Sequence, residues 1–135
     1  MKIKSIYLSF PIRYCKRACL LEKELASRGF LILNPCNIII KDRPRQDQPA
    51  YIANECYMMI DNSDALVLFA DYYGRDCATE IGYAIHAGKP VFPLSFNGKN
   101  SRMILSDWMI RAKINPMSKS IEDLVLCMES IQVHV

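Results

Sequence analysis

The sequence predicts an α/β fold, a doubly wound parallel sheet with helices on both faces. Three observations carry that expectation. Ala65-Leu66-Val67-Leu68-Phe69 is an unbroken apolar run without alternation, the mark of a strand covered on both faces. Helical periodicity follows it directly: Ile81, Ala84, Ile85 and Gly88 fall at i, i+3, i+4 and i+7. A second short apolar run, Val91 to Leu94, comes straight after the Gly88-Lys89-Pro90 stop. Strand, helix and strand in that order imply right-handed crossovers and a parallel sheet.

The remaining elements follow in chain order. Ile3 to Phe10 is rich in β-branched and aromatic residues and predicts the first strand, with Pro11 opening a helix that runs to Ser27. Ala18, Leu21 and Leu25 form the apolar stripe of that helix, and Gly29 stops it. Phe30 to Leu33 is the second strand. Asn34 to Gln48 combines Pro35, Pro44, several charges and the island Ile38-Ile39-Ile40, and is expected to be a long loop or partial strand. Pro49 starts a helix that reaches Asp61 on the apolar residues Tyr51, Ile52, Cys56, Met59 and Ile60. Arg102 to Ile114 is expected to hold a short helix with a strand, and Ser120 to Gln132 a terminal amphipathic helix.

Composition bounds the function. A chain of 135 residues suits one domain, 1–135, and half of it is apolar, as in ordinary globular proteins. The net charge of +3 is spread over several small basic clusters, which argues against a nucleic-acid polymer as partner and leaves room for a small anionic ligand. Met1-Lys2-Ile3-Lys4-Ser5 leads directly into a strand and no apolar run has membrane-spanning length, so no membrane association is expected and a cytoplasmic location is. The six cysteines show no CxxC and no histidine placed to complete a metal site; they are expected to be buried free thiols in a reducing compartment, with no metal and no cofactor.

Ligands of such a sheet bind at the carboxyl ends of the strands, where strand order reverses. Two turns meet there, Ser9 to Arg13 and Ala70 to Glu80. Neither carries GxGxxG or GxxxxGK[ST], which excludes the dinucleotide-dehydrogenase and P-loop NTPase readings. Glu80 lies one turn into the helix after the buried strand, where the positive helix end favours an ionised carboxylate suited to nucleophilic work; an acid there also serves plain dipole compensation. Asp76 would serve equally as an N-cap. Arg13, Lys16 and Arg17 suit either an anion or a solvated helix face.

Glu80-Ile81-Gly82-Tyr83-Ala84 followed by Gly88-Lys89-Pro90-Val91 resembles the signature of the nucleoside 2-deoxyribosyltransferase family, whose relatives include nucleoside 5′-monophosphate N-glycosidases. The resemblance extends to Ile6-Tyr7-Leu8-Ser9 with Pro11 and to Ile60-Asp61-Asn62-Ser63-Asp64-Ala65. It implies a Rossmann-like fold and cleavage or exchange of the N-glycosidic bond of a nucleoside or nucleotide, with Glu80 as nucleophile at C1′. Tyr7 would hold Glu80, although a strand aromatic also suits the core, and Asp76, Asp71 or Glu55 is the candidate acid/base. Ser9, Pro11, Arg13, Asp71, Gly74 and Glu55 are the implied substrate contacts, with Pro11-Ile12-Arg13 at the phosphate end. A homodimer or higher homo-oligomer that shares its sites is also implied. The chain departs from the pattern at Gly74 and at Cys56, where acids are expected. A binding module that keeps the pocket without turnover is the alternative, separable by ligand binding without base release.

Overall fold

The computed structural model describes residues 2–41, 48–72, 74–97 and 107–131, without the side chains of 39–41. Four strands form one parallel sheet: β1 (Ser5–Ser9), β2 (Leu31–Leu33), β3 (Ala65–Phe69) and β4 (Val91–Leu94), in the order β2-β1-β3-β4. The helices are α1 (Cys15–Ser27), α2 (Cys36–Lys41), α3 (Pro49–Asp61), α4 (Arg75–His86), α5 (Trp108–Arg111) and α6 (Ile121–Glu129). Short 3-10 turns at Ile12–Tyr14 and Ala70–Tyr72 follow β1 and β3.

Every residue of β1, β3 and β4 is buried, which is why their sequences show no polar alternation. The side-chain period of two divides each strand between two cores. Ile6, Leu8, Val67, Phe69, Phe92 and Leu94 face α1 and α6, packing on Ala18, Leu21, Leu25, Leu124 and Met128. Tyr7, Leu66, Leu68 and Val91 face the other way, onto Ile60 of α3 and Cys77, Ile81 and Ala84 of α4. The sheet is therefore covered on both sides, as the continuous apolar runs require.

Gly29 and Gly88 end α1 and α4 with φ of 95° and 77°, a region that only glycine enters freely. Pro93 interrupts no ladder, because β4 is the last strand of the order; among the described residues its outer edge meets the segment carrying Asn115 and Ser118. Ser120 caps α6, its Oγ accepting from the Asp123 N–H at 3.0 Å.

Three expectations are corrected. The segment after β2 is not loop or strand throughout: Cys36–Lys41 forms α2, started by Asn34, whose buried Oδ1 accepts from the Cys36 N–H at 3.0 Å. An Asn side chain that turns the chain in this way gives no periodic signal, and six residues are too few to show one. The second correction follows from the first. With α2 in place Cys36 meets Cys15 at the start of α1, and the two form a disulfide with Cα atoms 5.7 Å apart. Cys19, Cys56, Cys77 and Cys127 are free thiols. The first helix also starts later than expected, because Pro11 precedes a 3-10 turn and α1 begins only at Cys15. Of the predicted helix and strand within Arg102 to Ile114, only Trp108–Arg111 is observed as helix; 98–106 lie outside the described residues.

Candidate active site

Strand order reverses between β1 and β3, so the crevice at their carboxyl ends is where this topology places a ligand. Tyr7 and Ser9, two residues apart, leave β1 on the same side of the sheet, toward α3 and α4. Glu80 is the sixth residue of α4 and reaches back across that space. The Tyr7 hydroxyl donates a short hydrogen bond to Glu80 Oε2, and Ser9 Oγ donates to Oε1 at 2.9 Å. One donor on each oxygen fixes both the position and the plane of the carboxylate. Tyr7 and Ser9 are themselves fully buried.

The electrostatics of Glu80 differ from the sequence-based expectation. Glu80 is half-buried, and the burial of its carboxyl raises its pKa to about 7; the two hydroxyl donors oppose this and the like charge of Asp76 adds to it. The helix end, taken from the sequence as the force that keeps Glu80 ionised, does not decide the outcome, because loss of water around the carboxylate outweighs it. Burial and the neighbouring Glu80 raise Tyr7 well above the usual phenol range, so it is a protonated donor at neutral pH.

The other candidates are distributed around this centre. Asp76 is exposed in the first turn of α4; it is not the N-cap, which is Gly74 with extended backbone and no side-chain cap. Asp76 lies one turn before Glu80 on the same helix face. Glu55 is half-buried on α3, beside Cys56. Asp71 is engaged elsewhere: its carboxylate accepts from Ser95 Oγ at 2.8 Å and from the backbone N–H groups of Phe96 and Asn97, fixing the turn after β3 to the segment after β4. Pro11 precedes the turn that carries Arg13, and the Arg13 guanidinium lies 5.1 Å from the centre of the Tyr14 ring. Asp64 is structural, accepting from the backbone N–H groups of Lys4 and Ser5.

From the sequence Arg17, with Arg13 and Lys16, suits an anion or a solvated helix face; Cys77 is not singled out there as a site residue. Arg17 lies over the rings of Tyr72 and Phe96, at 5.6 and 4.9 Å, beside a stacked Tyr14–Tyr72 pair with centroids 3.7 Å apart. Cys77 sits three residues before Glu80, buried on α4 in the core that also holds Tyr7. The i,i+3 spacing from Glu80 is the one signal that marks Cys77 in the sequence. Among the described residues no group of three or more His, Cys, Asp or Glu is placed to hold a metal ion, and no helix is long and apolar enough to cross a membrane.

A parallel sheet of this order, with a hydrogen-bonded glutamate at its switch point, defines a Rossmann-like α/β protein with a carboxylate-centred crevice. Solved structures share the fold. A 2-deoxyribosyltransferase from the psychrotolerant bacterium Bacillus psychrosaccharolyticus superposes with a TM-score of 0.67 at 19% identity, over 88% of each chain. The CMP N-glycosidase of Clostridium botulinum superposes with a TM-score of 0.55 at 19% identity, over 91% of this chain and 96% of that one. No protein-family model matches the sequence, and no curated protein matches it at a significant level.

Proposed function

We propose that this protein cleaves or exchanges the N-glycosidic bond of a nucleoside, deoxynucleoside or nucleoside 5′-monophosphate, with Glu80 as the nucleophile. The observation that carries this reading is the Glu80 carboxylate, enclosed at the switch point of the sheet with one oxygen on Tyr7 and the other on Ser9. The fold shared with a 2-deoxyribosyltransferase and a CMP N-glycosidase supports it.

The reaction is the retaining-glycosidase scheme applied to nitrogen. A Glu80 oxygen forms a bond to C1′ while the C1′–N bond breaks and its electron pair leaves with the base. An acid supplies the proton that neutralises the departing nitrogen; Asp76 and Glu55 are the candidates. The glycosyl ester on Glu80 is then resolved by water, giving the free sugar, or by a second base, giving exchange. A carboxylate with a pKa of about 7 is more basic than an ordinary one, and about half of it is ionised at neutral pH. Ser9, Gly74 and Glu55 line the sugar and base side, Pro11 and Arg13 the phosphate side, and Asp71 acts there through the segment it fixes. The reaction runs in the cytoplasm on a small-molecule substrate, in a homodimer or higher homo-oligomer.

Cys56, where the resemblance leads one to expect an acid, favours a second reading: a module that binds nucleotides without turnover. One experiment separates the two. The protein is incubated with a panel of ribonucleosides, deoxynucleosides and their 5′-monophosphates, and released base is measured alongside binding. Base release that Glu80→Gln abolishes supports the enzyme; binding without release across the whole panel establishes the module and ends the catalytic reading.

A further inference from the structure

The Cys15–Cys36 bond joins the candidate site to a part of the chain that the proposed reaction does not use. Its two ends are held unequally. Cys36 is fully buried at the start of α2, and Asn34 ties it down: the Asn34 Oδ1 accepts from the Cys36 N–H at 3.0 Å, while its Nδ2 donates to Glu22 of α1 at 3.0 Å. Cys15 is half-buried and opens α1 directly after the Ile12–Tyr14 turn. That turn carries Arg13, and its last residue, Tyr14, stacks on Tyr72 with centroids 3.7 Å apart. Tyr72 ends the turn after β3, from which the chain enters α4 and reaches Glu80. A disulfide, one peptide bond and a ring stack therefore connect α2 to both turns that flank the switch point.

Two thiols need more room than one bond. Sulfurs released from a disulfide part by roughly 1.5 Å to reach van der Waals contact. Burial and the Asn34 hydrogen bonds keep Cys36 in place, so the displacement falls on Cys15, the end with solvent on one side. A shift of that size beside Tyr14 loosens its stack on Tyr72, because a gap of about 0.5–1 Å already forfeits a quarter to a half of a contact. We propose that Cys15–Cys36 is a redox switch on the phosphate side of the candidate site: the closed bond sets the Arg13–Tyr14 turn for a 5′-monophosphate, and reduction releases it. The proposal rests on the reading of Arg13 as the phosphate contact. The reductant is a low-molecular-weight thiol. Its thiolate attacks the accessible Cys15 sulfur, the S–S bond breaks, and Cys36 leaves with the electron pair and takes a proton. A second thiol attacks the mixed disulfide and frees Cys15, so the protein gains two electrons and two protons as two external thiols become one disulfide.

The test compares the oxidised wild type, the wild type reduced with dithiothreitol, and the double variant Cys15→Ser/Cys36→Ser, with the state of the bond checked by alkylation and mass spectrometry. Calorimetry measures the affinity for each nucleoside of a panel and for its 5′-monophosphate. Reduction and the double substitution are each expected to weaken the monophosphate about tenfold and to leave the nucleoside within about twofold; reoxidation restores the wild type alone. Should the double variant fail to fold, the reduced wild type carries the comparison. Equal monophosphate affinity in both states, equal losses for the two ligands, or a wild type whose Cys15 and Cys36 alkylate without reductant overturns the proposal. Backbone hydrogen exchange over residues 12–15 and the near-ultraviolet circular dichroism of the tyrosines follow the turn without any ligand. Reduction is expected to speed the exchange and diminish the tyrosine signal, and no change in either overturns the switch whatever the affinities show. If the oxidised protein binds neither ligand, the functional reading fails, while a turn that responds to reduction leaves the switch standing; monophosphate binding indifferent to reduction does the reverse.

Discussion

At the scale of single residues, Glu80 joins stability to activity. Its pKa is raised from 4.5 to about 7, so between those values the folded chain holds a proton that the unfolded chain has lost. Folding is therefore favoured by Glu80 at low pH, and that contribution is lost as pH rises through 7. Glu80→Gln removes the ionisation. It is expected to stabilise the protein by roughly 1–3 kcal/mol at pH 8 relative to wild type and to have little effect at pH 5, read as the difference in denaturant midpoint between the two pH values. Turnover should run oppositely, rising as pH passes 7 in the wild type and falling by several orders of magnitude in Glu80→Gln at every pH. A Gln variant with wild-type turnover would leave Glu80 a half-buried acid and nothing more. Arg13 gives a second prediction at this scale. If its exposed guanidinium meets a 5′-phosphate, Arg13→Ala weakens monophosphates about ten- to a hundredfold and nucleosides hardly at all, measured by calorimetry. Equal losses for both would place Arg13 outside the site.

At the scale of elements, the junction of α1 and α2 is the feature on which sequence and structure part. Asn34 connects its pieces: its Nδ2 donates to Glu22 at 3.0 Å and lies 4.0 Å from the Cys19 sulfur, while its Oδ1 starts α2. The Cys15–Cys36 bond closes a loop across 21 positions of sequence. A crosslink over that span restricts the unfolded chain by about 3 kcal/mol. Reduction with a phosphine, or Cys15→Ser, is expected to lower the unfolding free energy by about that amount, with the native thiols counted by alkylation and mass spectrometry. An intact protein that alkylates at all six cysteines without reductant would show that the bond does not form in solution. In a cytoplasmic setting the bond stands against a reducing thiol pool, and the same counting on protein taken directly from cells measures which side prevails.

At the scale of the whole molecule, several large apolar side chains remain uncovered. Trp108 and Met109 on α5 are 82% and 88% exposed, and Met58 on α3 is 55% exposed. α5 packs against α4, the helix that carries Glu80, so a partner covering α5 would stand close to the crevice. Tryptophan and methionine are enriched at interface centres. The protein is accordingly expected to sediment as a dimer or larger at micromolar concentration. Trp108→Glu should shift it toward monomer and, if sites are shared, reduce base release in step with the loss of assembly. A monomer that turns over substrate fully would separate catalysis from assembly.

The sequence by itself determined the architecture and the position of the candidate nucleophile. Burial on both faces forces continuous apolar strands, and helices between them need a 3.6-residue period, so Ala65 to Phe69, the Ile81 to Gly88 stripe and their stop signals could be read without coordinates. Glu80 was legible because a carboxylate just inside a helix that follows a buried strand is a local pattern. The Tyr7–Glu80 contact, across 73 positions, was implied by the family resemblance and by no local rule; the Ser9–Glu80 contact, across 71, was decided by tertiary structure alone. The protonation of Glu80 was decided at the same level, since local sequence shows the helix end but not the packing that removes water. The disulfide and the engagement of Asp71 with Phe96 and Asn97 belong there too. Each depends on where separate elements come to rest, which is set by the packing of both faces of the sheet together.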